Sequence, residues 1–190
     1  MDKKKNSLIA FCGMDGTGKT TLASKVAQFF KEQGIEFQFI HAHGYSVSQN
    51  SFGLDEKKVN CLKYLFGLLI PLAFIDNLFT YYFRYKPVLK NKTLICDRYF
   101  YDKAARMIYY GILNKLIAKV YLRLLPKPDF IFFLDVNPQK AYIRKKEYSE
   151  KELASFRNIY RFLAEYLEGS VIDTSLPVNN CYKKILEHFN

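Results

Sequence analysis

No two of the four cysteines, Cys12, Cys61, Cys96 and Cys181, form a CxxC pair, and the three histidines add no metal-ligand spacing. That excludes the common zinc and dithiol patterns; the simplest reading is reduced thiols, two of them in apolar strands, as expected of a cytoplasmic protein. The chain has no internal repeat, no low-complexity linker and no signature of an RNA- or DNA-binding module. Met1–Asn6 is charged, but the apolar run Leu8–Cys12 is too short for the core of a signal peptide. A membrane helix needs about 20 apolar residues. The richest stretch, Tyr64–Tyr85, is interrupted by Pro71, Asp76 and Asn77 and closed in by Lys63 and Arg84. It is therefore expected as a buried helix and a subunit contact, with no transmembrane segment.

What is present suits one folded unit. The 190 residues are 49% hydrophobic and 17% aromatic, enough for a sizeable core and against disorder. The formal net charge is +11, with lysines and arginines spread along the chain, which points to phosphate handling and not to a nucleic-acid face. Short apolar runs alternate with helical spacings. Strands are expected at Ser7–Cys12, Phe37–His41, Thr93–Cys96, Asp129–Leu134 and Ser170–Ile172. Helices are expected at Thr20–Gln33 and about 57–85, 102–124, 138–147, 150–168 and 178–188. This order predicts an α/β fold, a parallel sheet covered by helices on both faces.

Residues Gly13-Met14-Asp15-Gly16-Thr17-Gly18-Lys19-Thr20 match GxxxxGK[ST] between an apolar strand and a helix, the context a phosphate-binding P-loop needs. Glycines let backbone N–H groups turn toward phosphate oxygens, and the helix N-terminus adds partial positive charge. Lys19 can reach the β- and γ-phosphates, and the Thr20 hydroxyl can hold Mg²⁺. Asp97 ends the third strand, where it can orient Mg²⁺ through water. Arg98 follows and can bind an acceptor phosphate. Asp15 is repelled by nucleotide phosphate, so it is expected to face an acceptor hydroxyl or Arg98. Arg144, in Arg144-Lys145-Lys146, is a candidate cation for charge on the transferring group. Asp135 is expected only to cap a strand end or form a turn.

Together these segments resemble the thymidylate kinase family of P-loop nucleoside monophosphate kinases. Phe11–Thr21 resembles its F-x-G-x-D-G-x-G-K-T-T loop, and Asp97-Arg98-Tyr99 its D-R-Y/H motif. Pro128–Pro138 leading to Arg144 resembles P-D-x-x-x-x-L-D-V-x-P with a lid arginine, and Val171-Ile172-Asp173 the segment flanking the adenine. The resemblance implies a P-loop kinase fold over residues 1–190, a five-stranded parallel sheet with helices on both faces and a short lid, about 144–152. It implies transfer of the ATP γ-phosphoryl group to dTMP or a related nucleoside monophosphate, with ATP and Mg²⁺, and often a homodimer. It assigns Lys19, Arg98, Arg144 and Asp15 to catalysis; Gly13, Asp15, Gly16, Thr17, Gly18, Lys19, Thr20 and Thr21 to the nucleotide; Thr20 and Asp97 to the metal; and Asp15, Phe74, Arg98 and Tyr99 to the acceptor. Some members carry an arginine after the loop acid. Gly16 stands there in this chain, which leaves that role to Arg144.

The departures fall on the acceptor side. His41-Ala42-His43-Gly44 replaces the R-E-P-G segment, and Asn77 replaces the arginine that follows the aromatic Phe74. Asp102-Lys103-Ala104-Ala105-Arg106-Met107 replaces S-x-x-A-Y-Q. His41, His43, Arg106 and Lys103 either rebuild an anion site or lie on the surface. A kinase of the same fold with another acceptor, such as a nucleoside, sugar or glycan or lipid intermediate, and a non-catalytic nucleotide-binding protein stay open as alternatives.

Overall fold

The computed structural model describes residues 6–41 and 70–189. His43 and the first part of the expected 57–85 helix lie outside the described residues. Five strands form one parallel sheet in the order β2-β3-β1-β4-β5: β1 Leu8–Cys12, β2 Phe37–His41, β3 Thr93–Asp97, β4 Phe130–Asp135 and β5 Ser170–Asp173. Alternate residues of β1 divide between two cores. Ile9 and Phe11 face α1 (Lys19–Glu32) and α8 (Val178–Leu186), among Leu22, Val26, Phe132 and Ile185. Leu8, Ala10 and Cys12 face the other side, where α4 (Phe100–Tyr109) and α7 (Glu150–Leu167) pack. Burial on both faces explains why the central strands β1, β3 and β4 read as apolar runs.

Between β2 and β3, α2 (Ile70–Thr80) runs through a π-helical turn, Tyr81–Tyr85, into α3 (Lys86–Leu89). The helix thus continues four residues past the expected end. The stretch expected as one helix over 102–124 is two: α4 stops at Tyr109, Gly111 turns with φ 71, and Asn114 caps α5 (Lys115–Leu124) by accepting from Ile117 N. The left-handed conformation at Gly111 suits glycine and cannot continue a helix. α6 (Pro138–Arg144) is shorter than expected, and α7 starts at a capping box between Ser149 and Glu152. No helix among the described residues is long and apolar enough to cross a membrane.

Strand order and register assemble the site. The chain leaves β1 toward β2 on one side and returns to β4 on the other, so a crevice opens at the C-terminal end of β1. Phe11 pairs with Asp97 across β1 and β3, and His41 pairs with the same Asp97 across β2 and β3. The loop Gly13–Gly18, Asp97 and His41 therefore share one sheet edge.

Candidate active site

The loop after β1 is built by three glycines with positive φ: Gly13 at 154, Gly16 at 81 and Gly18 at 86. Gly16 has a second constraint. A Cβ there would lie 2.6 Å from the Ala141 carbonyl oxygen of α6, so the loop and α6 touch backbone to backbone. No side chain at 16 fits that contact, which leaves a cation for the transferring group to come from elsewhere. Thr17 is fully buried and donates to Met14 O at 2.9 Å. Its contribution to a ligand is then confined to its backbone.

Lys19 opens α1 and is buried, its Nζ donating to Gly13 O at 2.7 Å and Met14 O at 2.8 Å. Burial, reinforced by the charge of Arg98, pulls its pKa down to about 8, against the opposing pull of Asp102, Asp15 and Asp97. The Thr20 hydroxyl donates to Asp97 Oδ2 at 2.6 Å, and His41 Nδ1 lies 2.7 Å from the same oxygen. Asp97 is fully buried, and its Oδ1 has no hydrogen-bond partner among the described residues. A buried carboxylate oxygen left unmatched beside a threonine hydroxyl fits a hard, oxygen-seeking cation and its water shell.

Arg98 takes φ 77, a conformation that costs a non-glycine residue about 1 kcal/mol or more. Its N–H donates to Phe11 O at 3.0 Å, and its guanidinium pairs with the Asp15 carboxylate. Burial would lift the Asp15 pKa, but Arg98, Lys19 and Lys145 together hold it below the usual value. Burial also acts against the Arg98 charge, and the carboxylates of Asp102 and Asp15 outweigh it. Sequence reasoning missed Asp102. This buried carboxylate accepts from Gly13 N at 3.3 Å and Tyr160 OH at 2.8 Å through Oδ1, and from Tyr99 N at 2.9 Å through Oδ2. It ties the phosphate loop, the start of α4 and α7 at one point. Its place at N3 of a helix offered only a capping signal.

Arg144 ends α6 and donates to Gly16 O at 3.3 Å and Thr174 O at 3.0 Å. Lys145 reaches Glu147 at 3.0 Å and Asp15 at 3.8 Å. Arg106 donates to Tyr148 OH at 3.2 Å. One open cleft is lined by Asp15, Gly16, Gly18, Lys19, Thr20, Thr21, His41, Arg98, Arg106, Arg144, Lys145 and Glu147. Its cations far outnumber its two carboxylates, as a site for polyphosphate requires.

Other sequence expectations part from the cleft. Phe74 packs edge-on against Tyr121, with ring centres 5.6 Å apart, and is not among the lining residues. Tyr99 is buried; its hydroxyl donates to Pro126 O at 2.8 Å, which turns the ring into the core. Asn77 donates to Tyr121 OH at 2.8 Å, and Lys103 reaches Asp76 and Asn77 at 3.5 Å and is not among the residues lining the cleft. Asp135 does not act as a simple strand cap: Arg157 holds both carboxylate oxygens at 2.6 and 2.9 Å, and Arg161 adds a contact at 2.8 Å. Burial would raise the Asp135 pKa, but these two arginines hold it down.

The geometry agrees with what the chain is similar to. A family model described as thymidylate kinase matches residues 11–185. A probable thymidylate kinase from Archaeoglobus fulgidus is 27% identical across 96% of this chain and 95% of its own length. A thymidylate kinase from Chlorobium luteolum is 33% identical across 77% of this chain and 69% of its own. The crystal structure of thymidylate kinase from Ehrlichia chaffeensis superposes with a TM-score of 0.65 at 19% identity, covering 97% of this chain and 99% of that one, which supports the fold.

Proposed function

This chain belongs to the thymidylate kinase family, and from that premise we propose a division of labour within the cleft of an ATP-dependent nucleoside monophosphate kinase that phosphorylates dTMP. The observation that carries it is convergence: Lys19, the Asp15–Arg98 pair and Arg144 come from three separate segments and line one cleft. In this reading the loop N–H groups and Lys19 bind the donor phosphates. Asp15 faces the acceptor sugar, and Arg98, braced on Asp15, faces the acceptor phosphate. Arg144 leaves two neutral backbone carbonyls, a low-cost exchange, to face the transferring group, whose charge spreads over its equatorial oxygens. Thr20 and Asp97 would hold Mg²⁺, which would supply positive charge to offset that of the donor phosphates. The orphan Oδ1 of Asp97 supports that assignment. The acceptor contacts expected of Phe74 and Tyr99 are then indirect, through the packing of α2 and α4.

We take residues 1–190 as one domain with a lid of about 144–152. The buried free thiols of Cys12, Cys96 and Cys181 suit the reducing cytoplasm. A homodimer would use the stripe Leu72, Ile75, Phe79 and Phe83, each more than half exposed. The test of function is ADP release with a panel of nucleoside monophosphates. Turnover with dTMP is expected, and Lys19→Ala should lower kcat about 10²–10³-fold. Silence across the whole panel, or wild-type turnover by the variant, would refute the reading.

A further inference from the structure

Arg106 occupies an unusual place among the cations of the cleft. Arg98 is paired with Asp15, and Lys145 with Glu147 and Asp15. Arg106 is half-buried, yet its hydrogen-bond partner is the uncharged Tyr148 hydroxyl. Among the described residues it takes part in no ion pair. A guanidinium withdrawn from water without a carboxylate gains most from an arriving anion.

Its direction follows from the helix. Asp102 and Arg106 are four residues apart on α4 and share a face. Asp102 points at Gly13 N of the phosphate loop and at Tyr160 of α7. Arg106 is therefore carried one turn further along the face that looks at the site. It lines the main cleft and also a narrow recess off it, shared with Asp15, Arg98 and Tyr148.

We propose that Arg106 is a second anchor for the acceptor phosphate, gripping it opposite Arg98. The inference rests on the monophosphate kinase reading above. Arg98 is already part-neutralised by Asp15, so a dianionic phosphate placed between the two arginines draws its remaining charge balance from Arg106. The planar fork of each guanidinium suits two phosphate oxygens at once. Tyr148 orients the Arg106 fork. Because Tyr148 lies between Arg144 and α7, the acceptor anchor is joined to the segment that carries the lid cation.

The test is calorimetric binding of dTMP, thymidine and ADP to the full chain, wild type against Arg106→Gln and Arg106→Lys. Arg106→Gln should weaken dTMP about 10- to 100-fold, with thymidine and ADP within about twofold; Arg106→Lys should recover part of the loss. Equal losses for dTMP and thymidine would make Arg106 a contact to the nucleoside and overturn the proposal. A loss confined to ADP would make it a donor contact and overturn the proposal as well. If Arg106→Gln lowers the melting temperature, Arg106→Lys carries the comparison: its preference for dTMP over thymidine should fall below that of the wild type, and an undiminished preference in it overturns the proposal. Preference that survives undiminished in a folded Arg106→Gln overturns this proposal alone. A wild-type protein that binds dTMP no better than thymidine overturns the monophosphate reading and this proposal with it.

Discussion

The side-chain contacts of Lys19 and Thr17 in the phosphate loop close over a few residues: Lys19 to Gly13 and Met14, and Thr17 to Met14. Those around the acceptor cross the fold. Asp15 meets Arg98 at a separation of 83 residues, Asp102 meets Tyr160 at 58 and Arg106 meets Tyr148 at 42. The donor side is a local device that a strand and a helix can form wherever they meet. The acceptor side exists only when the sheet, α4 and α7 are all in place. Departures from the family pattern gather on the second side, where a new residue can find a new partner across the fold. The loop offers no such freedom: at Gly16 even a methyl group meets the Ala141 backbone.

On the donor side, Thr20, which reaches Asp97 across the sheet, and Arg144, which reaches Gly16 and Thr174 from a distant helix, break this contrast. If Arg144 supplies transition-state charge, Arg144→Ala should lower kcat by about 10³-fold, the scale of a lost arginine finger, with little change in the KM for dTMP. Steady-state kinetics decides the matter. A change confined to KM would place Arg144 in ground-state binding instead.

Asp102 sharpens the contrast from the other direction, because it joins the two sides. Asp102→Asn must set an amide N–H₂ against one of the groups that donate to it, the N–H of Gly13 or Tyr99 or the Tyr160 hydroxyl. A buried donor facing a donor costs about 1–3 kcal/mol. Urea unfolding should show a loss of that size, and Tyr160→Phe, which removes one hydroxyl, a smaller one. An unchanged midpoint for Asp102→Asn would mean that the loop does not depend on α4.

The same division decides what could be read in the sequence. Four of the five strands end at a glycine or an aspartate, and the three central ones, β1, β3 and β4, read as apolar runs because both their faces are buried. The glycine spacing located the loop, and the Asp97-Arg98 pair located an arginine that lines the cleft. Asp102 was not legible: a carboxylate in the first turn of a helix is the ordinary signal of a cap, and its tie to Gly13 has no sequence period. Asp135 read as a strand end because its partners, Arg157 and Arg161, lie a helix away. Tyr99 and Phe74 read as ligand contacts from motif position alone, whereas core packing claims both rings. The break of one expected helix at Gly111 was readable in principle, since glycine there could mark either a weak helical residue or a stop.

The smallest effect concerns protons. The free protein holds the Lys19 pKa near 8, well below the ordinary lysine value of 10.5. Between those values the unfolded chain carries more of the proton, so the Lys19 contribution to stability should rise with pH from about 8 to 10.5; below 8 the full cost of the buried charge is felt. Donor phosphates favour the charged form and push the pKa back up. Nucleotide binding at pH 8 should therefore take up about half a proton, and less at pH 7, where Lys19 is already charged. Calorimetry of ADP binding in two buffers of different ionisation enthalpy measures this uptake directly. Lys19→Met should abolish it. Arg106→Gln, on the acceptor side, should leave it intact. Equal uptake in wild type and Lys19→Met would trace the proton to another group and separate the loop lysine from the charge it is placed to meet.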